Sequence, residues 1–167
     1  MSIFLVQQDI TQLQVDAIVN AANRSLMGGG GVDGAIHRAA GKQLLQECIS
    51  LQGCDTGDAK ITKAYKLPSK FIIHTVGPVW YGGKNNEENR LRSAYQRSLE
   101  VAFENNIQSI AFPNISTGVY RFPKEKAAQI AIETVHNFLQ QYSLPIDVYF
   151  VCFGEENYSI YQRILNI

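Results

Sequence analysis

The chain has 167 residues, 46% of them hydrophobic, with 15 basic and 15 acidic side chains and a formal net charge of zero. That length suits one domain spanning residues 1–167, and the balanced charge argues against a strongly basic surface built for direct nucleic-acid binding. Its apolar runs are strand-length and interrupted, and no basic, apolar and small-residue series of a signal peptide opens the chain, so no membrane segment is expected and the expected location is the cytoplasm.

Strand and helix signals alternate along the chain. Ser2 to Gln7 reads as a short apolar strand, followed by the turn-forming Asp9-Ile10-Thr11. Val15 to Asn20 reads as a second strand whose β-branched residues suggest burial on both faces. Apolar residues then recur at helical spacing from Gly34 to about Gln52, with a break between two helices at Gly41. Ala59 to Tyr65 and Phe71 to Val76 read as strands separated by a Pro68-Ser69 turn. A polar loop, Gly82 to Asn86, precedes a long amphipathic helix from about Glu88 to Asn105. Ser109 to Pro113 is a strand that ends in the loop Asn114 to Phe122, and Pro123 suits the first position of a helix running to about Tyr142. Asp147 to Phe153 and Glu155 to Asn166 complete the pattern as strand and helix. Such an alternation predicts a sheet covered on both faces, with ligands bound outside the carboxyl ends of the strands.

The run Gly28 to Gly31, followed by Val32-Asp33-Gly34, couples a bare backbone to the start of a helix. Glycines allow backbone N–H groups to press closely on a ligand, and a helix start adds the positive end of its dipole, which together make a seat for phosphate. A flexible loop is the plain alternative. Asp33 has two readings, a carboxylate placed beside a bound anion or a helix N-cap. A second strand end carries chemistry of the same kind, Ile115-Ser116-Thr117-Gly118-Val119-Tyr120, with hydroxyl and backbone donors ahead of a helix. One such loop serves one phosphate; two facing loops suit a diphosphate. The chain has no GxxxxGK[ST], and its GxGxxG match at Gly29, Gly31 and Gly34 does not open directly from a strand, because Ala21 to Met27 intervenes.

The three cysteines, Cys48, Cys54 and Cys152, are odd in number and lack CxxC spacing. They read as reduced thiols in or near the core, and no His/Cys cluster has metal-ligand spacing. His74 reads as a core histidine with its hydrogen bonds satisfied, and His136 lies on a helix remote from the motifs. His37 reads as structural or as facing phosphate. Trp80 and Tyr81 read as a surface hydrophobic cluster.

The residues resemble the macrodomains, and more closely the MacroD-type ADP-ribosyl hydrolases. The resemblance rests on Asp9-Ile10-Thr11, on Val15 to Asn23, on the glycine segment through Gly41, on Gly57 to Thr62, on Ile73 to Pro78, and on the Ser116 to Tyr120 loop. It implies an α/β fold, a three-layer α/β/α sandwich with a mixed, mostly parallel central sheet, and a cleft for ADP-ribose across the strand ends. Carried onto this chain, it implies that Asp9 accepts from the adenine amine, that Ile10 donates its backbone N–H to the ring, and that Phe153 packs on adenine. Gly30, Gly31 and Val32 would hold the diphosphate with Ser116, Thr117, Gly118, Val119 and Tyr120, the tyrosine also covering the distal ribose. Asn23 would bond that ribose, Asp33 would stand beside its anomeric carbon, and Asn20 would organise the loop through backbone hydrogen bonds.

The Asn23 and Asp33 pair separates hydrolases of this type from modules that only read ADP-ribose. The resemblance therefore implies removal of mono-ADP-ribose from acidic side chains of proteins and deacetylation of O-acetyl-ADP-ribose, with no metal or other cofactor. Asp33 would align water directly or hold one that a substrate phosphate also contacts. Two positions depart from the family pattern: Gln8 stands where glycine is usual before the Asp-Ile-Thr turn, and Arg121 where glycine often follows the tyrosine. Arg121 is expected either to contact the ligand or an acidic target, or to point to solvent.

Overall fold

Within Ala17–Ala21, Ala17 and Val19 face one way and Ile18 the other, and all three are fully buried. A strand that is apolar on both faces needs cover on both sides. The computed structural model, which describes residues 2–143 and 145–167, supplies it. Six strands, β1 (Ser2–Gln7), β2 (Ala17–Ala21), β3 (Ala59–Lys63), β4 (Phe71–Thr75), β5 (Ser109–Phe112) and β6 (Asp147–Cys152), form a sheet in the order β1-β6-β5-β2-β4-β3. Neighbours run parallel except β3 and β4, which are antiparallel. Helices α1 (Gly31–Ala40) and α2 (Lys42–Ser50) cover the face that carries Ile18, Ile72 and Ala111. Helices α3 (Glu87–Glu104), α4 (Lys124–Tyr142) and α5 (Glu155–Leu165) cover the face that carries Val19, Ile73 and Phe112. Each Ile, Val or Phe buried in these two cores stabilises the fold by about 1.5–3 kcal/mol. The fold is the expected mixed, mostly parallel α/β/α sandwich.

The order of the sheet also decides where a ligand can sit. Strands β2 and β5 are adjacent and parallel, but β2 leads to α1 on one face and β5 to α4 on the other. Their following loops therefore diverge and leave a crevice at the carboxyl ends.

Several element boundaries differ from the sequence expectation, each for a local reason. Strand β2 begins at Ala17 because the N–H groups of Val15 and Asp16 go to the hydroxyls of Ser69 and Ser109 instead of a strand partner. Strand β3 ends at Lys63 because Ala64 donates to the Lys70 carbonyl and Tyr65 turns with φ +52°. Pro123 is the N-cap of α4, one residue outside its expected place, and Gly41 breaks α1 from α2 at φ +95°, as expected. Trp80 is half-buried against Phe122, with ring centroids 4.8 Å apart, while Tyr81 is exposed, so the two form no joint surface cluster. The loop before α3 is held by Glu87, whose carboxylate accepts from the N–H groups of Tyr81, Gly83 and Asn85. All three cysteines are free and buried, and burial pushes the Cys48 thiol up to about 11. His136 is exposed on α4. Among the described residues, no helix is long and apolar enough to cross a membrane.

Candidate active site

A cleft of about 810 Å³ opens at the carboxyl ends of β1, β2, β5 and β6. The residues expected to hold adenine, diphosphate and distal ribose all line it. The glycine loop contributes Gly30, Gly31 and Val32, the loop after β5 contributes Ser116 to Tyr120, and Asn23 and Asp33 stand beside the former. Asp9, Ile10 and Phe153 line the part of the wall that follows β1 and β6.

Helix α1 begins two residues earlier than Asp33, at Gly31, with Gly30 as its N-cap. No side chain caps it, and its first closed turn is the bond from Gly34 N–H to the Gly30 carbonyl, 3.2 Å. The N–H groups before that turn lack helical partners and lie on the cleft wall, where an anion would find both donors and dipole. Gly31 takes φ +57°, which costs a glycine little. Close approach demands glycine at Gly34, since a Cβ there would sit 2.5 Å from the Gly29 carbonyl oxygen.

Asp33 is therefore not an N-cap. It occupies the third position of α1, 4% exposed, and Oδ1 accepts from Asn20 Nδ2 at 2.9 Å. His37, one turn on, places Nε2 3.5 Å from the same oxygen without a hydrogen bond, and its ring lies beside Gly28. Oδ2 points the other way. A Cβ built on Gly29 would meet it at 3.1 Å and Asn23 Nδ2 at 3.3 Å, so the carboxylate and the amide converge on one bare stretch of backbone. Burial raises the Asp33 carboxyl above its ordinary 3.8, and the Asn20 hydrogen bond and His37 only partly offset that.

Asn23 donates to the Gly28 carbonyl at 2.9 Å and accepts from the N–H and hydroxyl of Ser25, which fixes its amide plane and leaves Nδ2 one further hydrogen. Asn20 departs from expectation. It is fully buried, does not reach the cleft, and bonds side chains, Asp33 and His74, in place of backbone groups. His74 is buried with satisfied nitrogens, as expected.

The second loop is held by its own backbone. Phe122 N–H bonds the Ser116 carbonyl, Arg121 N–H the Gly118 carbonyl, and Trp80 N–H the Tyr120 carbonyl, all within 2.8–2.9 Å. Ser116 is left-handed at φ +68°, and its buried hydroxyl has no protein partner. Gly77 has no side chain because one would collide with Ser116 and Ile115. Arg121 is exposed and off the cleft wall, which favours the solvent-facing expectation. At the other end, Asp9 Oδ1 takes both the N–H and hydroxyl of Thr11, leaving Oδ2 outside that turn. Phe153 is 83% exposed at the rim, and Gln8 lines the wall despite departing from the family pattern.

Sequence reasoning missed Asn157 and Lys124, which also line the cleft. Lys124 pairs with Glu156 at 2.6 Å, and the Asn157 side-chain oxygen is buried without a partner. Neither stands in a strand-end loop rich in glycine or hydroxyls, the only signal that was available. Among the described residues, no group of three or more His, Cys, Asp or Glu is placed to hold a metal ion.

Comparison with known proteins agrees with this architecture. The Macro domain family model matches residues 19–131. A protein of Escherichia coli strain K12 named O-acetyl-ADP-ribose deacetylase is 57% identical over 167 residues, covering 98% of this chain and 94% of its own length. A Macro domain-containing protein of Methanosarcina mazei is 55% identical over 162 residues, covering 97% of this chain and 87% of its own. Among solved structures, a mutant of the Oceanobacillus iheyensis macrodomain with ADPR superposes with a TM-score of 0.93 at 46% identity, covering 97% of this chain and 90% of that one. With more than half of its length matched by the family model and relatives this similar along nearly all of it, the chain belongs to the Macro domain family.

Proposed function

We propose that this chain binds ADP-ribose in the cleft and hydrolyses O-acetyl-ADP-ribose, and that it also removes mono-ADP-ribose from acidic side chains of proteins, acting as one unit in the cytoplasm. The observation that carries the reading is the convergence of Asp33 Oδ2 and Asn23 Nδ2 on Gly29, on the wall of a cleft of about 810 Å³. The relatives named O-acetyl-ADP-ribose deacetylase and the structure solved with ADPR support the same choice.

In this reading the start of α1 and the Ser116 to Tyr120 loop hold the diphosphate through backbone donors. Asp9 and Ile10 recognise adenine, Phe153 closes over it, and Tyr120 covers the distal ribose. Asn23 bonds that ribose and turns the ester toward Asp33. Asp33 aligns a water and accepts its proton as the oxygen attacks the acetyl carbon. The bond from the acetyl carbon to the ribose oxygen then breaks, that oxygen takes the proton back from Asp33, and acetate leaves. The same water could attack where a protein carboxyl is joined to the ribose, releasing ADP-ribose and the free acid. The residues named supply base, orientation and charge stabilisation without calling on a cofactor.

Incubation of the protein with O-acetyl-ADP-ribose and, separately, with a protein mono-ADP-ribosylated on glutamate tests the proposal, with release of ADP-ribose as the readout. Turnover of both is expected. Binding of ADP-ribose without turnover of either would make the chain a reader.

A further inference from the structure

Behind Asp33 runs a row of buried polar side chains that the chemistry above does not use. Asn20 on β2, His74 on β4 and Thr62 on β3 are 0%, 0% and 2% exposed, on three neighbouring strands. In alternation, Ile18 and Ala22 flank Asn20 and Ile72 and Val76 flank His74, and polar groups buried in such places cost stability unless they find partners. Each of the three side chains finds at least one, although Asn20 Oδ1 itself is buried without a partner, and the bonds have a direction. Asn20 Nδ2 carries two hydrogens, one on Asp33 Oδ1 at 2.9 Å and the other on His74 Nδ1 at 3.1 Å. A ring nitrogen that accepts cannot carry the proton, so the His74 proton sits on Nε2, where it is donated to Thr62 Oγ1 at 2.9 Å. Thr62 passes its own hydrogen to the Lys63 carbonyl at 3.0 Å.

The opposite orientation of Asn20 would set its carbonyl oxygen against the Asp33 carboxylate and against a bare Nδ1. It becomes consistent only if Asp33 is protonated and His74 moves its proton to Nδ1. The tautomer of one residue is thus coupled to the ionisation of the other. We propose that His74 is a positioning residue for the hydrolysis: as the Nε2–H tautomer it holds Asn20 as a double donor, and Asn20 in turn keeps Asp33 an oriented carboxylate with Oδ2 in the cleft. The inference rests on the functional reading above and deepens it.

The surroundings of His74 agree. Burial pushes its pKa from 6.5 down to about 3, and His37 adds to the shift, so the ring is neutral wherever the enzyme would work. The other titratable groups near it are Cys48 of α2, whose sulfur lies 3.9 Å from Nε2, and His37 of α1, whose ring centroid is 6.4 Å away. Burial holds the Cys48 thiol in its neutral form.

Two substitutions separate positioning from mere packing. His74→Leu keeps an apolar bulk but offers Asn20 no acceptor, whereas His74→Asn places an amide oxygen where Nδ1 stands and gives up Thr62. With O-acetyl-ADP-ribose, His74→Leu is expected to lose kcat by about tenfold, the scale seen when an outer partner of a functional group is removed, with KM and the Kd for ADP-ribose changed by less than about twofold. His74→Asn is expected to recover most of that kcat even though it is destabilised. A kcat that follows the melting temperature of the two variants instead of the acceptor would overturn the proposal. Long-range ¹H–¹⁵N spectra of the native protein labelled on histidine give a test that needs no variant: a neutral His74 ring with its proton on Nε2 is expected, and a proton on Nδ1 overturns the inference. Native turnover matched by His74→Leu sinks this inference alone, while absence of native turnover sinks the functional reading and the inference together.

Discussion

The two ends of the cleft are built differently. At one end Asp33 is 4% exposed, its inner oxygen is held by Asn20, and its outer oxygen shares a bare backbone stretch with Asn23. At the other, Phe153 is 83% exposed. A base must stand in its working position before substrate arrives, because each correction made during the reaction adds to the barrier. A recognition surface has no such need and can gain its burial from the ligand itself. The cleft is thus pre-organised where the proposed chemistry happens and open where the nucleotide is read.

That contrast can be broken first at Asp33. Asp33→Ala should lower turnover of O-acetyl-ADP-ribose on the order of a hundredfold or more, the scale of a positioned acid or base. Binding of ADP-ribose, followed by calorimetry, should be nearly unchanged, because in the proposed site the diphosphate is held by backbone donors and not by this side chain. Near-native turnover would move the chemistry to another residue. Asp9→Ala acts at the open end and should give the reverse pattern, weakening ADP-ribose binding by about 1 to 3 kcal/mol, the cost of losing a charged hydrogen-bond partner. Equal affinity of the native protein for ADP-ribose and its inosine counterpart would remove Asp9 from recognition.

Gly29→Ala disturbs the buried end without replacing a functional group. The new Cβ, 3.1 Å from Asp33 Oδ2 and 3.3 Å from Asn23 Nδ2, must push one of them aside by a few tenths of an ångström. Steady-state kinetics should show kcat reduced by about tenfold, with stability little altered; an unchanged kcat would mean that the spacing of the pair is not critical. The smallest effect is expected at Arg121, which is exposed and off the cleft wall. Arg121→Ala should leave KM unchanged for O-acetyl-ADP-ribose and for a modified protein, and a rise with the protein alone would reveal a contact to the target.

The open end and the loops were legible in the sequence because their signals are local. Gly28 to Gly31 and Ser116 to Tyr120 are contiguous, and alternation in Ala59 to Tyr65 shows directly in residue types. The buried end was only half legible. Asp33 stood out beside the glycines, but its reading as an N-cap failed because the helix starts at Gly31 and turns the carboxylate inward. What holds it, Asn20 against His74, joins residues 54 positions apart, and no spacing rule announces such a pair. Asn157 escaped for a similar reason: a lone asparagine in the first turn of a helix becomes informative only when its oxygen is seen buried without a partner. The start of β2 is not local either, because serine hydroxyls far along the chain, Ser69 in a bend and Ser109 at the start of β5, take the N–H groups of Val15 and Asp16.

In the proposed mechanism Asp33 is kept buried and ionised for chemistry at the expense of stability. Its folded pKa lies above the ordinary 3.8, so the native state binds a proton more tightly than the unfolded chain, and the stability this confers at low pH is lost as pH rises through the folded pKa. Asp33→Asn keeps an oxygen for Asn20 and carries no charge to bury. Melting temperatures of native protein and variant, taken from below pH 3.8 to neutral pH beside turnover at neutral pH, test this most directly. The expected result is a variant whose stability relative to the native protein improves with rising pH while its turnover collapses. A variant that loses stability relative to the native protein as pH rises, or that keeps its turnover, would contradict the account.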